Sequence, residues 1–173
     1  MRKVTLYIAS SLDSFIARPN GGLDWLFSPD GEDYGYEAFV SSVDTVLMGY
    51  KTYEVVRGFG VANPYPEQKS YVFTRDKNRL PDPHVEFVTE DIPGFVRNLK
   101  EQPGKTIWLV GGGQINTILL NAGLIDEILL FIQPTVLGIG LPLFAPSSVT
   151  TSLELQSSKI YPSGMVHLVL TPL

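Results

Sequence analysis

The sequence predicts an α/β fold: one mostly parallel sheet, covered by helices on both faces and closed by an antiparallel hairpin. Three observations carry this prediction. Short apolar runs recur along the chain, and several are followed by segments with helical spacing. These runs end in glycine, hydroxyl or basic residues, at Ala9-Ser10, Gly49-Tyr50-Lys51-Thr52, Thr74-Arg75 and Gly111-Gly112-Gly113. The last two runs flank Tyr161-Pro162-Ser163-Gly164, a hairpin signal.

Residues 4–9 (VTLYIA) form a strand rich in β-branched and aromatic side chains. Residues 10–35 read as a long irregular segment carrying two Pro- and Gly-containing turns. A loop of that length in a compact domain is commonly a lid over a site, although a plain surface excursion has the same composition. Residues 34–42 have helical spacing through Tyr36, Phe39 and Val40. Residues 44–49 (DTVLMG) are a second strand, followed by a short helix over 52–56 and a loop over 59–68. Residues 70–74 (SYVFT) and 85–88 are strands, and 93–100 is a helix buried through Phe95, Val96 and Leu99. The stretch 106–126 reads as strand, bare turn, helix and stop. Ile107 to Val110 is apolar, three glycines follow, Ile115, Ile118, Leu119 and Ala122 recur at helical spacing, and Gly123 stands where a helix would end. A strand over 127–133, a Gly-rich loop over 134–144 and strands over 153–160 and 166–170 complete the chain.

The chain has 173 residues, 44% of them hydrophobic and 18% charged, which suits a single globular domain over residues 1–173. A net charge of −5 with no basic cluster argues against a nucleic-acid or anionic-membrane surface. With no cysteine, disulfides and thiolate catalysis are excluded. No apolar run reaches membrane-spanning length and the N-terminal run is too short for a signal core, so a cytoplasmic protein is expected.

The two histidines, His84 and His167, lack ligand spacing, so no metal site is expected. No nucleophile elbow is present, and the sixth position from Gly111 is Asn116, so the Rossmann fingerprint fails. The Gly111–Gly113 turn still offers bare N–H groups to an anion, as a tight turn or as a diphosphate cradle. Lys51 and Thr52 at a helix start fit a phosphate, or a solvated lysine beside an N-capping threonine. Arg75 and Lys77 suit a ribose 2′-phosphate or simply face water. Among carboxylates, Asp13 and Asp30 are the acid–base candidates, with capping roles as the alternative. Two phosphate-friendly turns without a nucleophile point to a dinucleotide that carries the reactive hydride.

These pieces, in order, are LYIASSLDSFIA, GGLDWL, DTVLMGYKTYE, YVFTR, WLVGGGQINTILLNAGLIDEI and PTVLGIGLPLF, and they span nearly the whole chain. So ordered, the chain resembles the dihydrofolate reductase-like superfamily. It resembles more closely the reductase domain of the bifunctional deaminase–reductase of riboflavin synthesis and its stand-alone bacterial relatives. The resemblance implies a three-layer fold with an eight-stranded, mainly parallel sheet and a C-terminal antiparallel hairpin. It implies NADPH as hydride donor, with Ala9 and Ile16 at the nicotinamide and Gly49, Lys51 and Thr52 beside the diphosphate. Thr74 and Arg75 would approach the 2′-phosphate, and Val110, Gly111, Gly112, Gly113, Gln114 and Ile115 would line the diphosphate. The implied activity is reduction of a pyrimidine- or pteridine-like small molecule, as in 5-amino-6-(5-phosphoribosylamino)uracil reduction, with dihydrofolate reduction or non-catalytic dinucleotide binding as alternatives. Tyr50 stands where dihydrofolate reductases commonly carry arginine, and Ser14 replaces the glycine of the family's S-L-D-G. The pterin-binding acid of dihydrofolate reductases falls near Asp30. A homodimer is expected, with Val166, Leu168 and Leu170 of the last hairpin either pairing across it or facing the core.

Overall fold

The computed structural model describes residues 1–26, 31–147 and 149–173. In chain order the elements are β1 (Val4–Ser11), β2 (Phe15–Ala17), α1 (Tyr36–Ser41), β3 (Val43–Gly49), α2 (Tyr50–Arg57), β4 (Lys69–Phe73) and β5 (Val85–Val88). They continue with α3 (Ile92–Glu101), β6 (Thr106–Gly111), α4 (Gly113–Asn121), β7 (Glu127–Gln133), β8 (Leu141–Pro142), β9 (Leu153–Ile160) and β10 (Val166–Pro172). Eight strands form one sheet in the order β5-β4-β3-β6-β1-β7-β10-β9, parallel up to β7 and antiparallel at β10 and β9.

The parallel strands are nearly continuous apolar runs because both sheet faces are covered. On one face α3 and α4 bring Val96, Leu99, Ile115 and Leu119 against Val4, Leu6, Leu47, Ile107 and Leu109. On the other, α1 and α2 pack Phe39, Val40 and Tyr53 against Val46, Met48, Val72 and Trp108. Leu6, Leu109 and Leu119 have no exposure. Burying each such side chain stabilises the fold by about 1.5–3 kcal/mol.

The order of strands places the site. Because β6 is flanked by β3 and β1, the turns after β3 and β6 lie side by side; Met48 pairs with Gly111. Strand β4, next to β3, brings Thr74 to the same sheet end.

One expectation is corrected and two open alternatives are narrowed. Residues 10–35 are not wholly irregular: β1 runs on to Ser11, and β2 pairs antiparallel with β8. Both strands are too short to show a period in sequence. They approach closely because Gly140 has no side chain; a Cβ there would overlap the Ala17 carbonyl oxygen. Helix α2 begins at Tyr50, and its N-cap is Gly49, so Thr52 is not a cap. Finally, Val166, Leu168 and Leu170 pair with Ile132, Leu130 and Ile128 of β7, so β10 is internal. The edge strand at this end of the sheet is β9, exposed along its length, with Leu155 56% and Ile160 75% accessible. No described helix is long and apolar enough to cross a membrane.

Candidate active site

Helices α2 and α4 start at adjacent strand ends, from Gly49 and Gly112, and neither has a side-chain cap hydrogen bond. Helix α3 differs: Asp91 caps it by accepting from the Gly94 amide at 3.0 Å. Uncapped first turns leave N–H groups for a ligand, and their partial positive charge favours an anion.

The two turns share one cleft. A Cβ built on Gly112 would lie 3.2 Å from Thr52 Oγ1 and 3.7 Å from Ile16 Cδ1. A Cβ on Gly49 would lie 3.2 Å from Ile115 Cγ1 and 3.9 Å from the Gly112 amide nitrogen. Gly49, Thr52, Ile16 and Gly112 therefore converge. Lys51 and Gln114 are exposed on the first turns of their helices, Val110 is half-buried in β6, and Ile115 is buried beneath Gly49. Gly111, at φ 119°, takes a backbone conformation open to glycine. Gly113 has a different purpose: a Cβ there would overlap the Pro142 carbonyl oxygen. Asn116, the residue that breaks the Rossmann pattern, is fully buried and donates from Nδ2 to the Leu143 carbonyl at 2.8 Å. The sixth position straps the helix to the 141–145 segment and takes no part in ligand approach.

Thr74 accepts from the Asp76 amide at 3.2 Å and from Arg79 Nε at 3.0 Å. Arg79 lays its guanidinium on the Tyr50 ring, 3.1 Å from the centroid. Arg75 is exposed, whereas Arg79 is half-buried. Arg79 was missed in the sequence, being five residues past Thr74 in a charged loop. The Tyr50–Arg79 stack could not be seen from spacing, because the two residues come together only across β3 and β4. Cation–aromatic contact and the hydrogen bond to Thr74 hold this guanidinium in place.

A cavity of about 310 Å³ opens beside Ala9 of β1, lined by Tyr7, Tyr34, Tyr36 and Phe131 with Leu26 and Met165. Among the described residues its one charged lining residue is Asp33, whose carboxylate accepts from the Glu37 amide at 3.2 Å. Burial pushes the Tyr7 phenol well above the ordinary tyrosine range, and the nearby Asp33 charge adds to the shift. Tyr36 is raised by the same two causes. Both phenols therefore stay protonated at neutral pH and are available as donors. Behind Phe131, the His167 ring stacks at 4.1 Å and 3°. Burial, then the Lys159 charge, lowers its pKa and keeps it neutral.

The catalytic candidates fare differently. Asp30 lies outside the described residues. Asp13 does not fit a proton donor. It accepts from the Ser11 hydroxyl at 2.6 Å and from the Leu137 and Gly138 amides at 3.0 and 2.7 Å. The Ser11 bond first, with the two amides, holds its carboxyl below the usual carboxylate range. An acid that gives up protons near neutrality needs the opposite shift. Asp13 clasps the loop after β7 to the β1–β2 turn, helped by the Leu12 amide donating to the Thr135 carbonyl at 2.8 Å. Among the described residues, the acid facing the cavity is Asp33. Only its place among loop carboxylates marked it in sequence.

The clasp has a pH signature. The folded pKa of Asp13 lies below its unfolded value. Its stabilisation is therefore complete above about pH 4 and is lost as pH falls through the folded value. Asp13→Asn is expected to flatten the acid limb of a melting-temperature profile without a selective loss of turnover. Wild-type and variant profiles that run parallel in acid would remove this role.

Comparison with known proteins agrees with the geometry. The chain is 40% identical to the uncharacterized Bacillus subtilis (strain 168) protein YwjB over 159 residues, 91% of each chain. Among solved structures it aligns with a putative riboflavin biosynthesis protein from Shewanella sp. PV-4, at 26% identity and a TM-score of 0.87, over 100% of this chain and 99% of that one. Dihydrofolate reductase from Enterococcus faecalis, at 15% identity, shares the fold with a TM-score of 0.70 over 98% and 96% of the two chains. With residues 2–167 matching the family's sequence pattern, the chain belongs to the RibD C-terminal domain family, a reductase domain of dihydrofolate reductase-like fold.

Proposed function

We propose that the protein is an NADPH-dependent reductase of a planar pyrimidine- or pteridine-like compound. The observation that carries this reading is the junction of two uncapped helix starts, at Gly49 and Gly112, on the sheet end that also holds the aromatic cavity. The fit to a dinucleotide rests on Gly112, whose missing side chain leaves the space between Thr52 and Ile16 open. A bound nicotinamide would supply the hydride.

The chain's own residues do the rest. The first-turn amides of α4, with Thr52 and Lys51, bind the diphosphate. Ala9 is small enough to let a ring lie against β1, and Ile16 shields it from water. Thr74, Arg75 and Arg79 receive the 2′-phosphate, with Arg79 as its firmest charge because Tyr50 and Thr74 fix its plane. Tyr7, Tyr36 and Phe131 enclose the second ligand, and Asp33 accepts from its N–H groups. We further propose that it acts in the cytoplasm as a homodimer pairing through the exposed β9 edge. A monomeric mass by light scattering at high concentration would remove the dimer.

Testing begins with NADPH titration, then NADPH oxidation against dihydrofolate and aminouracil compounds. No saturable NADPH binding would sink the reading; binding without oxidation would favour a non-catalytic nucleotide-binding module. Arg79→Ala is expected to weaken NADPH binding about 10- to 100-fold, the effect of one lost charge-assisted hydrogen bond, and to leave NADH binding unchanged. Equal losses for both nucleotides would take Arg79 out of 2′-phosphate recognition.

A further inference from the structure

The aromatic cavity beside Ala9 offers no cation to a phosphate among its described lining residues. Its walls are tyrosine and phenylalanine, and its charge is the Asp33 carboxylate. No basic side chain is among its described lining residues. Three arginines are engaged elsewhere. Arg18 grips both Asp24 oxygens at 2.6 and 2.8 Å. Arg57 faces Asp82 at 3.7 Å, and Arg79 lies on Tyr50 in the cofactor cleft. Lys159 holds its ammonium 4.2 Å from the Tyr161 ring, which in turn packs edge-on against Tyr34 at 4.7 Å. His167 stacks behind Phe131 as a wall support and not as a cation.

Placing a phosphomonoester here would bring two negative charges beside Asp33 with no counter-charge among the described lining residues, and like charges at short range repel. A flat, uncharged heterocycle meets a matching site: ring faces for Tyr and Phe, and an N–H edge for the carboxylate. Building on the reductase reading, we propose that the substrate is an unphosphorylated planar N–H heterocycle anchored by Asp33. The phosphorylated aminouracil of riboflavin synthesis is then not its substrate.

The test is calorimetric titration of NADPH-loaded protein with 5-amino-6-ribosylaminouracil, its 5′-phosphate and a dihydropterin. The phosphate form is expected to bind at least about 10-fold more weakly than the free nucleoside. Asp33→Asn, which keeps the shape of the side chain, should weaken the unphosphorylated ligands and narrow that gap. Asp33→Lys should close or reverse it, and Lys159→Ala should leave it unchanged. Equal or tighter binding of the phosphate form overturns the proposal. So does a loss of phosphate-form affinity in Lys159→Ala, which would make Lys159 a phosphate grip, and so does failure of all three compounds to bind. Failure of the reductase reading itself would show separately, as absent NADPH binding before any of these ligands is added.

Discussion

Gly112→Val is expected to weaken NADPH binding at least about 100-fold, the loss of two charge-assisted amide–phosphate hydrogen bonds, while the melting temperature changes little. On the cleft side, a Cβ at Gly112 would meet only the ends of flexible groups, Thr52 Oγ1 at 3.2 Å and Ile16 Cδ1 at 3.7 Å. Those ends can shift by a few tenths of an ångström, so the fold tolerates the added atoms. A ligand backed directly onto the peptide cannot, because valine occupies the space through which it reaches the α4 amides. Fluorescence titration with NADPH, alongside thermal melting, separates the two effects. An unchanged dissociation constant in a folded variant would end the cradle interpretation.

One residue on, Gly113→Ala is expected to do the reverse. It should destabilise the protein by about 3 kcal/mol or more, lowering the melting temperature by about 6–12 °C for a chain of this size. The methyl would overlap the backbone carbonyl of Pro142, which is not the end of a flexible side chain. The segment cannot easily retreat. Asn116 Nδ2 holds the Leu143 carbonyl at 2.8 Å, Thr117 Oγ1 donates to the Ala145 carbonyl at 3.2 Å, and the Ala145 amide donates to the Gly113 carbonyl at 3.2 Å. Strand β8 is further tied to β2. Calorimetry would read the loss, and a melting temperature within the experimental scatter of wild type would show that the strap yields.

These adjacent glycines mark how far the sequence could be read. As a Gly-Gly-Gly run it pointed to a bare turn before a helix, and that is what β6 and α4 form. It did not divide the glycines between ligand approach and packing, because the division depends on Thr52 and Pro142, each far away in the chain. The same holds for Asp13. Its position after β1 was plain, but its partners at Leu137 and Gly138 lie 124 and 125 residues onward.

What the sequence determined by itself is local. Apolar runs set the sheet, so Glu127–Gln133 and Leu153–Ile160 emerged with their full extents. Glycine and proline set the stops, and the ordered strand-end motifs set the family. Tertiary structure alone decided which loop groups meet. Arg79 reaches Tyr50 across two strands, β2 finds β8 across the domain, and Asp33, one carboxylate among several in a long loop, becomes the charge in an aromatic cavity. The physical reason is the range of the forces. Backbone propensity and burial period are written over a few neighbouring residues, whereas charge, stacking and hydrogen-bond complementarity act between groups that only the completed sheet brings within a few ångströms.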